Sequence, residues 1–330
     1  MTEPVQRPFA SLLRSRAWQR RQLPILLAYA LVAVMFALVS IYSPGFASAA
    51  NIKNIIQQAA ILGIVSIGQT LVIMTGGIDL SVAGMMSAAG VLLARTTPED
   101  GNLLFPIAVV FGLAFVVGLV NGIGVGVFRA PAIIMTLGMN GVLAGALVVT
   151  APGVITGEGT SSSLIRELAV GSIGPIPTAG VFWVLLTVLV TVALSRTSFG
   201  RRVYAVGNNP LAARVSGVNV ATTLITLYVI SAMTAALGGW MLAGYLGQSY
   251  FDMGEPYLFI SITAVLVGGV SLLGGSGNYL GTFAGTLILT ILGALLAILN
   301  LGAASVRIIY GIIVFLTVAA SPLLNRGKRN

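Results

Sequence analysis

Ten apolar stretches, separated by short polar connections, constrain the fold more than any other feature of this chain. The first, residues 23–42, is uncharged and long enough for a helix to cross a hydrocarbon core of about 30 Å. Only 8% of the residues are charged, whereas soluble proteins have about 25%. The sequence predicts an all-α polytopic membrane protein with about ten transmembrane helices. These are residues 23–42, 59–77, 80–94, 103–128, 131–150, 176–194, 221–246, 257–273, 280–301 and 308–324.

The positions of Lys and Arg predict the orientation. With the N-terminus inside, 13 of the 17 basic residues fall in inner segments and four in outer ones, as the positive-inside rule requires. We therefore expect a basic cytoplasmic segment 1–22, one permease domain 23–324 and a basic cytoplasmic tail 325–330. Residues 23–42 exceed the usual apolar region of a signal peptide, which indicates an uncleaved first span.

The loop 195–219 is a basic, polar segment between spans six and seven, and it contains a complete signal for a short helix. Asn209 is a good N-cap, Pro210 suits the first helical position, and Gly217 can adopt the left-handed conformation that ends a helix. The interpretations are a solvated connector or a docking helix. The residues assigned to the docking helix are Asn209, Pro210, Leu211, Ala212, Ala213, Arg214, Val215 and Gly217, of which Leu211, Ala212, Ala213 and Val215 supply an apolar side.

Gly76 and Gly77 interrupt the apolar pattern between spans two and three, which predicts a broken helix pair. Asp79 follows the break, and a carboxylate at membrane depth is costly and often functional. Asp79 or Ser81 can also cap the helix that restarts there. A cap is favoured, and a gating role stays open beside it.

Uncharged polar residues within the spans are candidates for a translocation pathway, because a neutral solute needs weak, replaceable hydrogen bonds. Ser66, Gln69 and Thr70 share one face of span two, and Thr136 and Asn140 share one face of span five. Interhelical hydrogen bonding, worth about 0.6 kcal/mol per bond, is the alternative for each of them.

Several classes of function are disfavoured by residue types that are missing. The chain has no Cys and no His, which leaves no usual zinc or haem site and predicts neither a metal nor a cofactor. No GxxxxGK[ST] phosphate loop occurs, and clustered catalytic residues are lacking, so the chain is predicted not to be an enzyme. A proton-driven transporter acting alone is disfavoured because Asp79 is the only acidic residue within the spans. The net charge of +9 reflects membrane topology and does not indicate nucleic acid.

Four segments, in order, resemble permeases of the ribose, galactose and xylose type of ABC importer. They are GQTLVIMTGGIDLSVAG (68–84), Asn121-Gly122 followed by APAIIMTLGM (130–139), FGRRVYAVGNNPLAARVSG (199–217) and AVLVGGVSLLGGSGNYLGTFAGTLIL (264–289). The likeness covers most of residues 50–320. Ala212, Ala213 and Gly217 fall where the ATPase-coupling loop of such permeases has its alanines and glycine, and Pro210-Leu211 replace its common glutamate.

The resemblance implies a transmembrane permease subunit that carries a monosaccharide or similar small polar solute through the bacterial inner membrane. It implies a second permease, identical or homologous, two cytoplasmic ATP-binding subunits and an extracytoplasmic solute-binding protein, besides membrane lipids. Residues 209–217 would then be the ATPase-coupling helix. The alternatives are a stand-alone secondary transporter or channel and, among ABC importers, a permease for branched-chain amino acids or nucleosides.

Overall fold

The structure is a computed structural model that describes residues 8–97, 102–150, 159–160 and 163–326. The described chain is mainly helical, which confirms the predicted all-α membrane class. Within the described residues, seven helices are long and apolar enough to cross a membrane. Three shorter apolar helices accompany them, Val82–Thr96, Tyr257–Val267 and Ala304–Thr317.

The described residues form thirteen α-helices and four very short strands. The helices are α1 (Pro8–Tyr42), α2 (Ala49–Ile73), α3 (Val82–Thr96), α4 (Leu104–Gly126), α5 (Ala132–Thr150), α6 (Ser163–Val170), α7 (Thr178–Arg196), α8 (Ser198–Asn208), α9 (Pro210–Val215), α10 (Val220–Leu246), α11 (Tyr257–Val267), α12 (Tyr279–Ile298) and α13 (Ala303–Arg326). The strands pair antiparallel as β1 (Gly159–Thr160) with β4 (Gln248–Ser249) and as β2 (Ser172–Ile173) with β3 (Ile176–Pro177).

Helix α2 forms the centre of the bundle. Its residues 59–73 are all buried, because α7, α10, α11 and α12 pack around it. Helix α10 packs against α2, α3 and α4, so it ties the two halves of the chain together. Helices α5 and α7 instead expose large apolar side chains along much of their length, as helices that face lipid do.

Glycine allows α4 and α10 to approach closely, as the spacing of Gly118 and Gly122 predicts. A Cβ atom on Gly118 would lie 2.5 Å from the Cα of Val229. One on Gly122 would lie 2.5 Å from the Cα of Ile225. Only hydrogen fits between these two backbones, so the pair of glycines fixes the distance between the helices.

Most helix boundaries differ from the predicted spans by a few residues, and two of the larger differences have a local reason. Helix α2 begins ten residues early, at Ala49, because the side chain of Ser48 caps it. Helix α3 begins at Val82 and not at residue 80. Helix α11 ends at Val267, six residues before the predicted end at 273, because Gly269 adopts a φ of 85°.

The predicted terminal segments are described only in part. Helix α1 starts at Pro8 and continues unbroken to Tyr42, so most of the basic segment 1–22 is helical. Residues 1–7 and most of the predicted tail 325–330 lie outside the described residues.

Candidate functional site

The short helix predicted in the loop 195–219 is present as α9, with the predicted caps. Asn209 Oδ1 accepts hydrogen bonds from the backbone N–H groups of Leu211 and Ala212, both at 3.0 Å. Pro210 occupies the first helical turn. Gly217 has a φ of 82°, and its N–H donates to the carbonyl of Arg214 at 3.0 Å. The ends of α9 are therefore fixed by residues next to it in sequence.

The loop also contains a helix that the sequence analysis missed. Helix α8 (Ser198–Asn208) immediately precedes α9 and buries Gly200, Val203 and Val206. The spacing of these three residues, at helical intervals, is the signal that would have revealed it. The loop is therefore a helix pair and not a connector with one small helix.

The four apolar residues of α9 do not all face the same way: three are exposed and one is buried against the rest of the chain. Leu211 and Val215 are 72% and 84% exposed, and Ala212 is exposed as well. Ala213 is only 4% exposed and packs with Val206 and Val220. Ala213 therefore faces α8 and α10, where a small side chain seats the helix, while Leu211 and Val215 face away from the chain.

Positive charge surrounds the exposed tip of α9. The side chains of Arg196, Arg201, Arg202 and Arg214 are all exposed. A groove of about 230 Å³ lies beside them between α8 and the start of α10, lined by Phe199, Arg202 and residues 216–219 among others. Leu211 and Val215 are thus exposed aliphatic side chains in a segment that also exposes four Arg side chains.

A second group of polar residues meets at the connection between α2 and α3, residues 74–81. Asp79 is 1% exposed. Its Oδ1 accepts from the backbone N–H of Ser81 at 3.0 Å and from the Ser81 hydroxyl at 2.6 Å. Asp79 therefore fixes the turn before α3, but it is not the N-cap, which is Ser81. Ser81 makes no capping bond with its side chain.

Helix α5 caps the start of α3 in their place. Asn140 Oδ1 accepts from the N–H of Gly84 at 2.7 Å, and Thr136 Oγ1 accepts from the N–H of Leu80 at 2.9 Å. Asn140 thus satisfies one free amide in the first turn of α3, and Thr136 satisfies the amide of Leu80 just before the helix, from more than 50 residues further along the chain. These two candidate residues do make interhelical hydrogen bonds.

The candidates on α2 are also buried and bonded within the chain. Gln69 binds the backbone of Asp79, since its Nε2 donates to the Asp79 carbonyl at 2.6 Å. Thr70 Oγ1 lies 2.9 Å from Thr282 Oγ1 on α12. Ser66 is fully buried, and its hydroxyl has no hydrogen-bond partner among the described residues. Gln69, Asp79, Thr136 and Asn140 therefore converge on one connection, while Thr70 links α2 to α12.

The Asp79 carboxyl is only half satisfied. Its Oδ2 has no hydrogen-bond partner among the described residues. Asn121 of α4 extends the network, since its Nδ2 donates to Ser81 Oγ at 2.9 Å. The occurrence of a polar residue, Asn121, within an apolar span was the one feature of the sequence that could have indicated its contact with Ser81.

The apolar helices indicate a multi-pass membrane protein, with exposed basic side chains on the helix pair α8 and α9. The family model described as "Branched-chain amino acid transport system / permease component" matches residues 51–318, so the chain belongs to this family of permeases. No solved structure matches the chain at a significant level.

Curated relatives match over most of both chains. The fructose import permease protein of Rhizobium meliloti is 37% identical over 83% of this chain and 78% of its own length. The ribose import permease protein of Escherichia coli K12 is 33% identical, covering 92% and 94%. The galactose/methyl galactoside import permease protein of Haemophilus influenzae is 31% identical, covering 91% and 95%.

Proposed function

We propose that this chain is the permease subunit of a binding-protein-dependent ABC importer and forms the translocation pathway for a monosaccharide. The observation that carries the proposal is the similarity to sugar import permeases over nearly the whole chain. The exposed tip of α9 adds physical support, since Leu211 and Val215 offer an apolar contact to a partner.

The proposed assembly has two permeases, two ATP-binding subunits on the cytoplasmic side and a solute-binding protein on the other side. ATP would be hydrolysed by the partner subunits. In this arrangement α9 is the ATPase-coupling helix, and Asn209, Pro210 and Gly217 hold its ends in shape. Leu211 and Val215 are its contact residues, and Ala213 seats it on the permease.

The proposed topology has ten membrane crossings, made by the seven long apolar helices and the three shorter ones. Helices α2 and α3 form the broken pair around Gly76 and Gly77. Both termini would lie in the cytoplasm of a bacterial cell with the protein in the inner membrane, because this orientation places most Lys and Arg inside.

Ser66, Gln69, Thr70, Asp79, Thr136 and Asn140 are the proposed pathway residues. All but Asn140 are fully buried in the single chain. A solute can therefore meet them only if the helices around them move. Their hydrogen bonds favour a role in positioning the start of α3 during that movement.

The function is tested by purifying the full chain from membranes of its native host in mild detergent. An importer subunit is expected to bring down an ATPase and to support ATP-dependent uptake of radiolabelled ribose, fructose or galactose in proteoliposomes that also contain the solute-binding protein. Uptake without any ATPase would identify a stand-alone transporter. The family description favours one second candidate, a branched-chain amino acid permease, which uptake of leucine in preference to the sugars would establish.

A further inference from the structure

Three backbone segments meet at the C-terminal end of α8, and glycine permits the contact. The N–H of Gly275, in the connection between α11 and α12, donates to the carbonyl of Met74 at the end of α2, at 2.9 Å. A Cβ atom on Gly207 of α8 would lie 2.0 Å from that carbonyl oxygen and 2.6 Å from the Gly275 nitrogen. We call Met74, Gly207, Gly274 and Gly275 the glycine junction.

Gly274 also belongs to this contact, because it lies close to the backbone of both Gly76 and Gly207. A Cβ atom there would lie 2.9 Å from the nitrogen of Gly76 and 3.0 Å from the carbonyl oxygen of Gly207. Because Gly274 and Gly275 also have φ angles of 81° and 74°, both positions favour glycine on conformational grounds as well. Backbone therefore rests directly on backbone, with no flexible side chain between the three segments.

Two side chains of α8 hold the same connection. Asn208 Nδ2 donates to the carbonyl of Gly275 at 3.2 Å, and the Tyr204 hydroxyl donates to the carbonyl of Gly277 at 2.8 Å. The two residues lie four apart and so share one face of the helix. Hydrogen bonds at both ends of this face prevent α8 from sliding past the connection.

The junction lies between the exposed tip and the interior of the permease. Helix α9 begins at Pro210, two residues after Asn208. In the other direction, Met74 opens the connection that carries Asp79, and Gly275 precedes Asn278, the N-cap of α12. Helices α2 and α12 are themselves joined at Thr70 and Thr282. A displacement of α8 and α9 must therefore reach both interior helices.

We propose that the glycine junction is the mechanical link between the ATPase-docking surface and the transport pathway, with Gly207, Asn208 and Tyr204 as positioning residues. This inference rests on the proposed function, because it assumes that an ATPase moves α9. Packed backbone transmits a displacement without loss, whereas side chains would absorb part of it by changing rotamer. Loss of the junction should separate ATP hydrolysis from transport and leave docking intact.

The test uses the complete importer in proteoliposomes, with ribose, fructose and galactose as probes, and measures solute imported per ATP hydrolysed. Gly207→Ala inserts a methyl group into the junction. We expect the ATPase to copurify normally and the ratio to fall about tenfold, within the usual range of coupling between sites. Gly112→Ala is the matched control, because no atom lies within 4 Å of a Cβ at that exposed helical position. It should leave the ratio unchanged.

A second variant covers the case in which Gly207→Ala does not fold. Asn208→Ala combined with Tyr204→Phe removes the two hydrogen bonds to the connection without adding volume, and it should lower the same ratio. A normal ratio in this folded variant would overturn the inference. The proposed function fails separately, if the wild-type chain brings down no ATPase or shows no ATP-dependent uptake of any probe.

A distance measurement on the transporting complex tests the link directly. The chain contains no cysteine, so Ser216→Cys and Leu273→Cys place two labels at exposed residues that are not among the contact residues of α9. If the junction is rigid, the distance between the labels stays constant when ATP is added. It should change only when Gly207→Ala or the double variant is introduced. A change on adding ATP with the junction intact would contradict a rigid link.

Discussion

The backbone N–H of Leu80 donates to Thr136 Oγ1 at 2.9 Å, which joins the start of α3 to α5. Thr136→Val keeps the shape of the side chain but leaves a part-buried N–H without a partner. We expect a loss of about 1–3 kcal/mol in the free energy of unfolding, measured by thermal unfolding in detergent. Thr136→Ser retains the oxygen and should be much less destabilised. Equal stability of the Val and Ser variants would show that this bond contributes nothing.

Asp79→Asn separates the turn-forming role of Asp79 from a role for its charge. Asn retains an oxygen that can accept both bonds from Ser81, and Asp79 Oδ2 makes no bond that would be lost. We therefore expect near-normal solute uptake per folded transporter. Asp79→Ala removes both bonds and should lower the yield of folded protein, at a cost of about 1–3 kcal/mol. Loss of uptake in a well-folded Asn variant would show that the charge itself is needed for gating.

Substitutions in α9 should affect either ATPase binding or the stability of the permease, depending on whether the side chain is exposed or buried. Leu211→Glu places a charge on the exposed tip, so ATPase binding should fall while thermal stability stays unchanged. Ala213→Glu buries a charge against Val206 and Val220 and should destabilise the permease itself, by several kcal/mol. Leu211→Met is the control and should bind normally. Measuring ATPase copurification and the unfolding temperature of each variant separates lost binding from lost stability. Normal ATPase binding by Leu211→Glu would exclude α9 as the docking site.

Single-cysteine labelling tests the membrane topology without background, since the chain has no cysteine. Gly200 is an unsuitable site, because a Cβ there would lie 2.0 Å from the carbonyl oxygen of Leu194. Val215→Cys is exposed in the chain expressed without its partners and should then react with an impermeant maleimide only after the inner membrane is opened. Ile173→Cys, 65% exposed, should react from outside. Labelling of the residue 215 variant in cells with only the outer membrane permeabilised would reverse the proposed orientation. Glu158, which the topology also places outside, lies beyond the described residues.

Gly122→Ala tests the close approach of α4 and α10. The added Cβ would meet the Cα of Ile225 at 2.5 Å, so the two backbones must separate. We expect the free energy of unfolding to fall by about 1–3 kcal/mol, as for other overpacked sites. Gly112→Ala, on the same helix but facing open space, should be neutral. Chemical denaturation of both variants in the same detergent gives the comparison, and equal stability would contradict the tight contact.

Features set by neighbouring residues could be predicted from the sequence. Asn209 and Gly217 act on amides and carbonyls within three or four positions, so the ends of α9 follow from local chemistry. The apolar stretches likewise define most of the helices. Helix α8 obeys the same local rules and was missed because its polar residues were interpreted as a loop.

Features set by distant residues could not be predicted. Asn140 caps α3 from 56 positions away, and nothing near Gly84 in the sequence indicates that partner. The contact of Gly207 with Met74 and Gly275 likewise joins three segments that are far apart along the chain. Such pairings exist only once the helices have packed.

The sequence by itself determined the membrane class, the approximate positions of the helices and the caps of α9. The tertiary structure decided which side of each helix faces the protein, including the inward position of Ala213 and the partners of Asp79. The physical reason is that lipid tails are as apolar as the interior of a helix bundle. In water, apolar residues repeated every three or four positions mark the buried face of a helix. In a membrane both faces are apolar, and only the packing of the other helices distinguishes them.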